Sequence, residues 1–295
     1  MKTLDVSKNN KLTVSNIILV FMLSLWLVII LYPFYNSVLI SIISQKTYIS
    51  SPFMIFPKEI TMEAYRYVFA SKALLSGFKI TGIVVLLGAA YCMLITTALA
   101  YGLTKPFPGR KLIIRLIVFT MYFGGGLIPY YIIISKLGLV DKIAVMILPM
   151  AVNTFYLIVI MNYFYSLPVS LEESAKIEGA NELTIFFKII LPLSMPILAT
   201  FALFYAVDRW NDWFTGLLFI KTAEKRPLQL VLRTIVSNID SIKTQTMVNS
   251  GLFNHVFTDG VKMASVIITM LPVMIIYPFL QKYFIKGIMI GAIKS

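Results

Sequence analysis

Six runs of apolar residues, broken by short polar segments, organise this chain: about 16–43, 77–103, 112–135, 143–166, 193–220 and 261–286. A helix rising 1.5 Å per residue needs roughly 20 such residues to cross the hydrocarbon. Lipid offers no partner to a backbone N–H or C=O, so each run is expected to close its own hydrogen bonds as a helix. The pattern predicts an all-α integral membrane protein of six transmembrane helices in a single transmembrane domain, 1–295, without an internal repeat. An even number of spans puts both termini on one side. Lys2, Lys8 and Lys11, then Lys105, Arg110 and Lys111, then Lys282, Lys286 and Lys294 all fall on that side. Short basic segments stay inside, which makes it the cytoplasm. Lys221, Lys225, Arg226 and Arg233 fall on the other side, in a long loop where that rule weakens. The outer segments 44–76 and 221–260 mix Pro, Ser, Asn and aromatics and are expected to carry short surface helices. The first run exceeds a signal-peptide core and has no small-residue cleavage site after it, so it reads as a retained helix.

Composition narrows the class further. Of 295 residues 59% are hydrophobic and 13% charged, against about a quarter charged in a soluble globule. The net charge of +13 flanks apolar runs instead of forming a patch, which fits the anionic face of a cell membrane and not a nucleic acid. One cysteine, Cys92, excludes an intrachain disulfide and a Cys-rich metal site. One histidine, His255, in an outer loop, excludes a His-pair metal site and an intramembrane Ser–His dyad. Glu172-Glu173 lacks the arginine of a Glu-Glu-x-x-x-Arg protease motif, since position 177 is Ile. No enzyme is expected, and no metal or cofactor on this chain. Nor is there a Gly-x-x-x-x-Gly-Lys-Ser/Thr phosphate loop with which it could hydrolyse ATP.

Between the fourth and fifth runs, at 167–192, lies a polar, acidic island: Glu172-Glu173-Ser174-Ala175-Lys176-Ile177-Glu178-Gly179-Ala180, then Leu191-Pro192. Ser170 and Glu173 have the spacing of a capping box, with Pro168 upstream to turn the chain. Glu172 and Glu173 would sit where the helix dipole favours negative charge. Gly179 suits the left-handed residue that ends a helix, and Asn181 can cap a second one. Leu171, Ser174, Ala175 and Glu178 share one face, small enough for close approach by another protein. A loop that returns to the membrane and happens to be helical has the same spacing.

The island resembles the EAA loop of ABC-importer permeases: Glu-Ala-Ala, three residues, Gly, nine residues, Ile-x-Leu-Pro. Here Glu173-Ser174-Ala175, Gly179, Ile189, Leu191 and Pro192 stand at that spacing, with Ser174 for the usual Ala and Glu178 for the commoner Asp. Gly125-Gly126-Leu127-Ile128-Pro129 with Tyr131, Leu137-Gly138-Leu139, Trp210-Asn211 and Pro227-Leu228-Gln229-Leu230 extend the likeness over nearly the whole chain. Together they are similar to the carbohydrate branch related to the maltose permease subunit MalG, and within it to lipoprotein-type polysaccharide and alginate permeases. The resemblance implies the type I importer fold and a role as half of a translocation pore for oligosaccharide. It also implies partners: a second related permease, two ATPase domains that use ATP and Mg, and an extracytoplasmic sugar-binding protein or lipoprotein. In that family the loop is the coupling helix seated in a cleft of the ATPase. Leu171, Glu172, Glu173, Ser174, Ala175, Glu178, Gly179, Ala180, Leu191 and Pro192 would carry that contact, with Glu173 offering its carboxylate to a basic group and Gly179 supplying the bend.

The fifth run carries Asp208, Arg209 and Asp212 beside Trp210, Asn211 and Trp213. Asp208 would lie about 20–25 Å from the cytoplasmic end, where charges ordinarily face a protein interior or a water cavity. Arg209 and Asp212, three apart, are within reach of an ion pair. One reading is an interfacial belt of Trp and charges. The other is a pore-facing wall, on which Trp stacks on sugar rings while Asn and Asp accept hydroxyl protons. Tyr130 and Tyr131, with Tyr122, would add to that wall around Gly124-Gly125-Gly126 and Pro129. These glycines read either as a broken helix lining a cavity or as close helix packing. A secondary transporter using Asp208 or Asp212 as a proton or ion site is the rival function. Such carriers usually show two matching halves and more than six spans, and neither is visible.

Overall fold

The computed structural model describes residues 14–51, 54–246 and 257–292; Lys2, Lys8, Lys11, His255 and Lys294 lie outside them. Every regular element among the described residues is helical. The chain divides into two compact units, Met1–Val68 with Gln245–Ile267, and Phe69–Thr244 with Ile268–Ser295.

In the first unit α1 (Val14–Ser41) leads into α2 (Gln45–Ser50) and α3 (Glu63–Ala70). From Ile17 to Tyr32 the side chains of α1 are exposed, the condition of a helix that meets lipid or another chain. Its end is tied down by polar contacts. Ser41 Oγ lies 2.9 Å from the Tyr65 hydroxyl, and the Thr61 N–H donates to Ile42 O at 2.8 Å. Ser44 caps α2 by accepting from the Thr47 N–H at 3.3 Å.

The second unit is built around α4 (Lys72–Thr104). α5 (Arg110–Tyr122), α6 (Leu127–Lys136), a 3-10 turn (Ile143–Met146) and α7 (Thr154–Ser166) follow. Next come α8 (Val169–Ile177), α9 (Glu182–Ile185), a π-helical turn (Phe186–Ile190), α10 (Leu191–Leu193), α11 (Met195–Asn211) and α12 (Phe214–Phe219). A 3-10 turn (Ala223–Lys225), α13 (Leu228–Thr246) and α14 (Thr258–Ala292), which both units share, complete the order. One core gathers Ala100, Leu157, Ile160, Phe164, Ile185 and Phe201 from α4, α7, α9 and α11. A second joins Ile80, Val84, Ile134, Val145 and Phe219. Small residues make the close approaches possible: a Cβ at Gly77 would lie 3.1 Å from Leu228 Cα, and one at Gly88 3.4 Å from the Arg209 side chain.

Among the described residues three helices are long and apolar enough to cross a membrane, Ser15–Ser41, Lys72–Thr104 and Thr258–Ile276. The other three runs are interrupted. The run at 112–135 breaks after Tyr122 and resumes at Leu127, turned by 116°. Gly126 sits there at φ +85°, a conformation β-carbons disfavour. Of the two readings of these glycines, the break is the one observed. The run at 143–166 is α-helical only from Thr154, because Pro149 cannot donate to a helix and Asn153 instead caps α7 through the Phe155 and Tyr156 N–H groups. The run at 193–220 ends at Asn211, and α12 starts afresh beyond an extended Asp212.

Gly216 is tighter than Gly77 or Gly88, since a Cβ there would lie 2.6 Å from Cγ and 2.7 Å from Cδ of the Pro227 ring. The ring cannot rotate away. Gly216→Ala is expected to destabilise the protein by about 1–3 kcal/mol, read as a lower melting temperature in detergent; an unchanged melting temperature would show that α12 and Pro227 separate freely.

Candidate functional site

The acidic island folds as a short helix ended by a left-handed glycine. Gly179 has φ +84°. The Ala180 N–H reaches Ala175 O at 2.9 Å and the Gly179 N–H reaches Lys176 O at 3.0 Å, the paired bonds of a Schellman end. Asn181 caps the next helix by accepting from the Thr184 N–H at 2.8 Å. The capping box is not formed. Pro168, extended at φ −61° and ψ 124°, is the first cap, and the Leu171 N–H already donates to its carbonyl. Ser170 therefore lies inside the first turn, too late in the chain to cap it.

The helix is held from below by charge. Glu172 pairs with Lys105 at the end of α4. Lys105 also lies 3.3 Å from Glu182, and Lys176 lies 2.7 Å from the other oxygen of Glu182. The buried Tyr101 donates its hydroxyl to Glu182 at 2.8 Å and carries the Lys105 ammonium 4.2 Å above its ring. Lys176 and Tyr101 hydrogen bonds, with Lys105 nearby, hold the Glu182 carboxyl down at about 2. A half-exposed pair contributes only about 0–1 kcal/mol alone; a carboxylate shared by two ammonium groups and a phenol positions the loop.

What stays free is the opposite surface. Glu173, Ser174, Glu178 and Gly179 are exposed, Leu171 is at the edge of exposure, and Ile177 is 88% exposed. Ala175, expected on the outward face, is buried in the core of α4 and α7. Leu191 and Pro192 lie in the one-turn α10, beside a π turn in which the Leu191 N–H reaches Phe186 O. Pro192 has no N–H to offer the preceding turn, which makes this the weak point of the ladder.

The polar group of α11 splits between two faces. Arg209 turns inward and is buried. Its guanidinium donates to Met146 O at 3.1 Å, to Met150 O at 2.7 Å and to Cys92 Sγ at 3.3 Å. One turn earlier, the Tyr205 hydroxyl lies 2.7 Å from Thr96 Oγ1 and accepts from the Asn153 N–H at 3.0 Å. Together they take two carbonyls and one N–H of the unwound segment between Met146 and Asn153, and Thr96 Oγ1 donates to Ala151 O at 3.5 Å. The expected Arg209–Asp212 pair is absent: Asp212 lies past the helix end and accepts from the Thr215 N–H at 3.0 Å. Asp208 and Asn211 are exposed, and Asp208 accepts the Tyr156 hydroxyl at 3.0 Å. Tyr131 stacks on Phe219 at 5.4 Å. The Tyr130 hydroxyl and Trp210 Nε1 are buried without a hydrogen-bond partner, out of reach of a solute in this conformation. Trp213 is half-buried beneath the guanidinium of Arg233, 3.8 Å from its centroid.

A third polar centre escaped the sequence reading. Asp141, at φ +59°, accepts from the Lys221 and Thr222 N–H groups at 3.1 and 2.9 Å, from Thr222 Oγ1 at 2.6 Å and from Lys225 Nζ at 3.1 Å. The Thr222 bonds above all hold its carboxyl well below the usual range. Its partners are about eighty residues away in sequence, and no local signal marks them. Lys105, Tyr101, Tyr156 and Arg233 were missed for the same reason.

No family model matches the chain. It is similar to Protein LplC of Bacillus subtilis, 43% identical over 270 residues that make up 90% of each chain. It is also similar to the polygalacturonan/rhamnogalacturonan transport system permease protein YtcP of Bacillus subtilis, 39% identical over 274 residues, 92% of this chain and 96% of that one. Among solved structures it is similar to a chain of a bacterial ABC transporter involved in the import of the acidic polysaccharide alginate. The TM-score is 0.84 at 30% identity, over 94% of this chain and 99% of that one.

Because the folded pKa of Glu182 is depressed, the clamp contributes fully above the ordinary value near 4.5 and is lost as pH falls through about 2. Amide exchange in α8 and α9, corrected for intrinsic rates, is expected to accelerate across that window; flat protection would remove Glu182 from the clamp. Arg209→Lys leaves a backbone carbonyl of the Met146–Met150 segment unpartnered, at about 1–3 kcal/mol. A melting temperature equal to the parent's would show that water takes over the bond.

Proposed function

The chain belongs to the sugar permeases of the ABC transporters, and on that premise we propose that it is one pore-forming subunit of an ATP-driven, binding-protein-dependent oligosaccharide importer, driven through α8. It is a membrane transport protein and not an enzyme. The observation that carries the coupling assignment is the two-sided character of α8. One side is locked to α4 by Lys105, Glu172 and Glu182, and the other leaves Glu173, Ile177 and Glu178 open. A helix tied rigidly to the longest helix of its unit, with a free acidic and apolar outer surface, can take a push from a cytoplasmic ATPase and pass it into the membrane.

In this assembly the chain would cross the membrane six times in one transmembrane domain, each bent pair counting as one, with both termini in the cytoplasm. Its partners would be a second homologous permease, two ATPase domains that bind ATP and Mg, and an extracytoplasmic sugar-binding protein or lipoprotein. Alternating access moves the substrate without covalent chemistry. Asp208, Asn211 and Tyr131 are the proposed path residues that present a free surface, and Trp213 lies half-buried under Arg233; Trp210 and Tyr130 would join them only after a change of conformation. An ion-coupled carrier has less support, because Asp212 is spent on a helix cap and Asp208 already holds the Tyr156 hydroxyl.

Gly179→Asp puts a side chain on a left-handed residue and a new carboxylate beside Glu178. ATP-dependent uptake into vesicles is expected to fall at least about tenfold, as for loss of a buried contact of roughly 1.4 kcal/mol or more, with the amount of inserted protein unchanged. Uptake equal to the parent's would sink the coupling assignment.

A further inference from the structure

Arg233 and Trp213 form the one arginine–tryptophan stack among the described residues. The Arg233 side chain is exposed, its guanidinium lies 3.8 Å from the ring centroid, and Trp213 is half-buried, braced edge-on by Phe214 at 5.4 Å. A guanidinium laid over an indole keeps its in-plane N–H donors free and loses little further freedom on binding, which suits it to grip a planar anion with two parallel bonds. Among the described residues no carboxylate is paired with Arg233. The ion pairs of the second unit include Lys105 with Glu172 and Glu182, Lys176 with Glu182, and Lys225 with Asp141. The carboxylates nearest Trp213 in sequence are engaged: Asp212 on the Thr215 N–H and Asp208 on the Tyr156 hydroxyl. Arg209, the other cation of this segment, is buried and spent on the Met146 and Met150 carbonyls. A negative group on a solute would therefore find Arg233 and not Arg209.

We propose that the Arg233–Trp213 stack is a selectivity element for a carboxylate-bearing saccharide, with the exposed Asn211 and Asp208 accepting or donating to its hydroxyls. The inference rests on the importer reading above and adds the charge of the substrate to it. Two relatives point the same way on independent grounds: one is a permease for polygalacturonan/rhamnogalacturonan, and the solved structure belongs to an importer of acidic alginate. Trp213 acts through Arg233, as the platform that holds the fork flat. Lysine, a compact ammonium without a planar fork, would keep the charge and lose the two-bond geometry.

The test uses the complete complex with its binding protein in proteoliposomes, and two probes: oligogalacturonate and its methyl ester, which has the same backbone without the charge. The parent is expected to import the acid at least about tenfold faster than the ester at limiting concentration. Arg233→Gln should abolish that preference by slowing the acid and leaving ester uptake within about twofold. Arg233→Lys and Trp213→Leu should give intermediate preferences. Equal loss of both probes in Arg233→Gln would overturn the inference, because the arginine would then serve folding or movement. Weaker docking of the binding protein to the Arg233→Gln complex, with the acid preference intact, would also overturn it and assign the anion to that protein. Parent complexes that import the ester as well as the acid defeat only this inference. Parent complexes with no ATP-dependent uptake of either probe or of a neutral oligosaccharide panel defeat the importer reading with it.

Discussion

Much of the second unit depends on giving partners to the backbone polar groups of one unwound segment, and the buried Arg209 supplies two of them. The chain between Met146 and Asn153 leaves the helix because of Pro149, and each carbonyl it exposes would cost several kcal/mol in a lipid-like interior. Arg209 donates to two of them, and Tyr205 accepts an N–H from the far end of the same stretch. Both side chains come from one face of α11, one turn apart, and the stem of Arg209 crosses α4 where Gly88 leaves room. The unwound segment is thus a consequence of three sequence features meeting: a proline, a glycine and a buried fork of donors. A buried arginine here is a backbone substitute rather than an ion-pair partner.

The same helix carries the inward and the outward chemistry. Arg209 and Tyr205 fall on the core side, while Asp208 and Asn211, three apart and so neighbours on the helix surface, fall on its exposed flank. What clamps the fold and what is open to solute are alternate faces of a single turn. At the other end of α4, Lys105 and Tyr101 tie α8 and α9 down through Glu172 and Glu182. α4 therefore links two polar centres through a continuous apolar core, and a displacement of α8 has a stiff route into the helices that hold α11. Asp141 does comparable work for the connection between α6 and α12, by gathering four donors into one carboxylate.

The breaks in the apolar runs have local causes, and most could be seen in the sequence. Gly126 marks the 116° turn between α5 and α6, and Gly179 with Asn181 marks the joint between α8 and α9. The start of α8 was misplaced, since Ser170 and Glu173 match a capping box but Pro168 had already begun the helix. Two caps competed within three residues, and a proline fixed in φ takes the first position more cheaply than a serine takes the third.

The sequence by itself determined the class of the molecule, its apolar segments, its loop helix with a glycine end, and the family resemblance. All of these are encoded within a few residues of one another, in hydrophobic run lengths, φ preferences and short-range caps. Only the tertiary structure decided which charges meet. Lys105 and Glu172 are 67 residues apart, Arg209 and Met150 59, and Asp141 and Thr222 81. It likewise turned Arg209 away from Asp212, buried Ala175 and laid Arg233 over Trp213. Electrostatic partners are chosen by where packed helices bring side chains together, and spacing along the chain carries no information about that beyond the reach of a single helical turn.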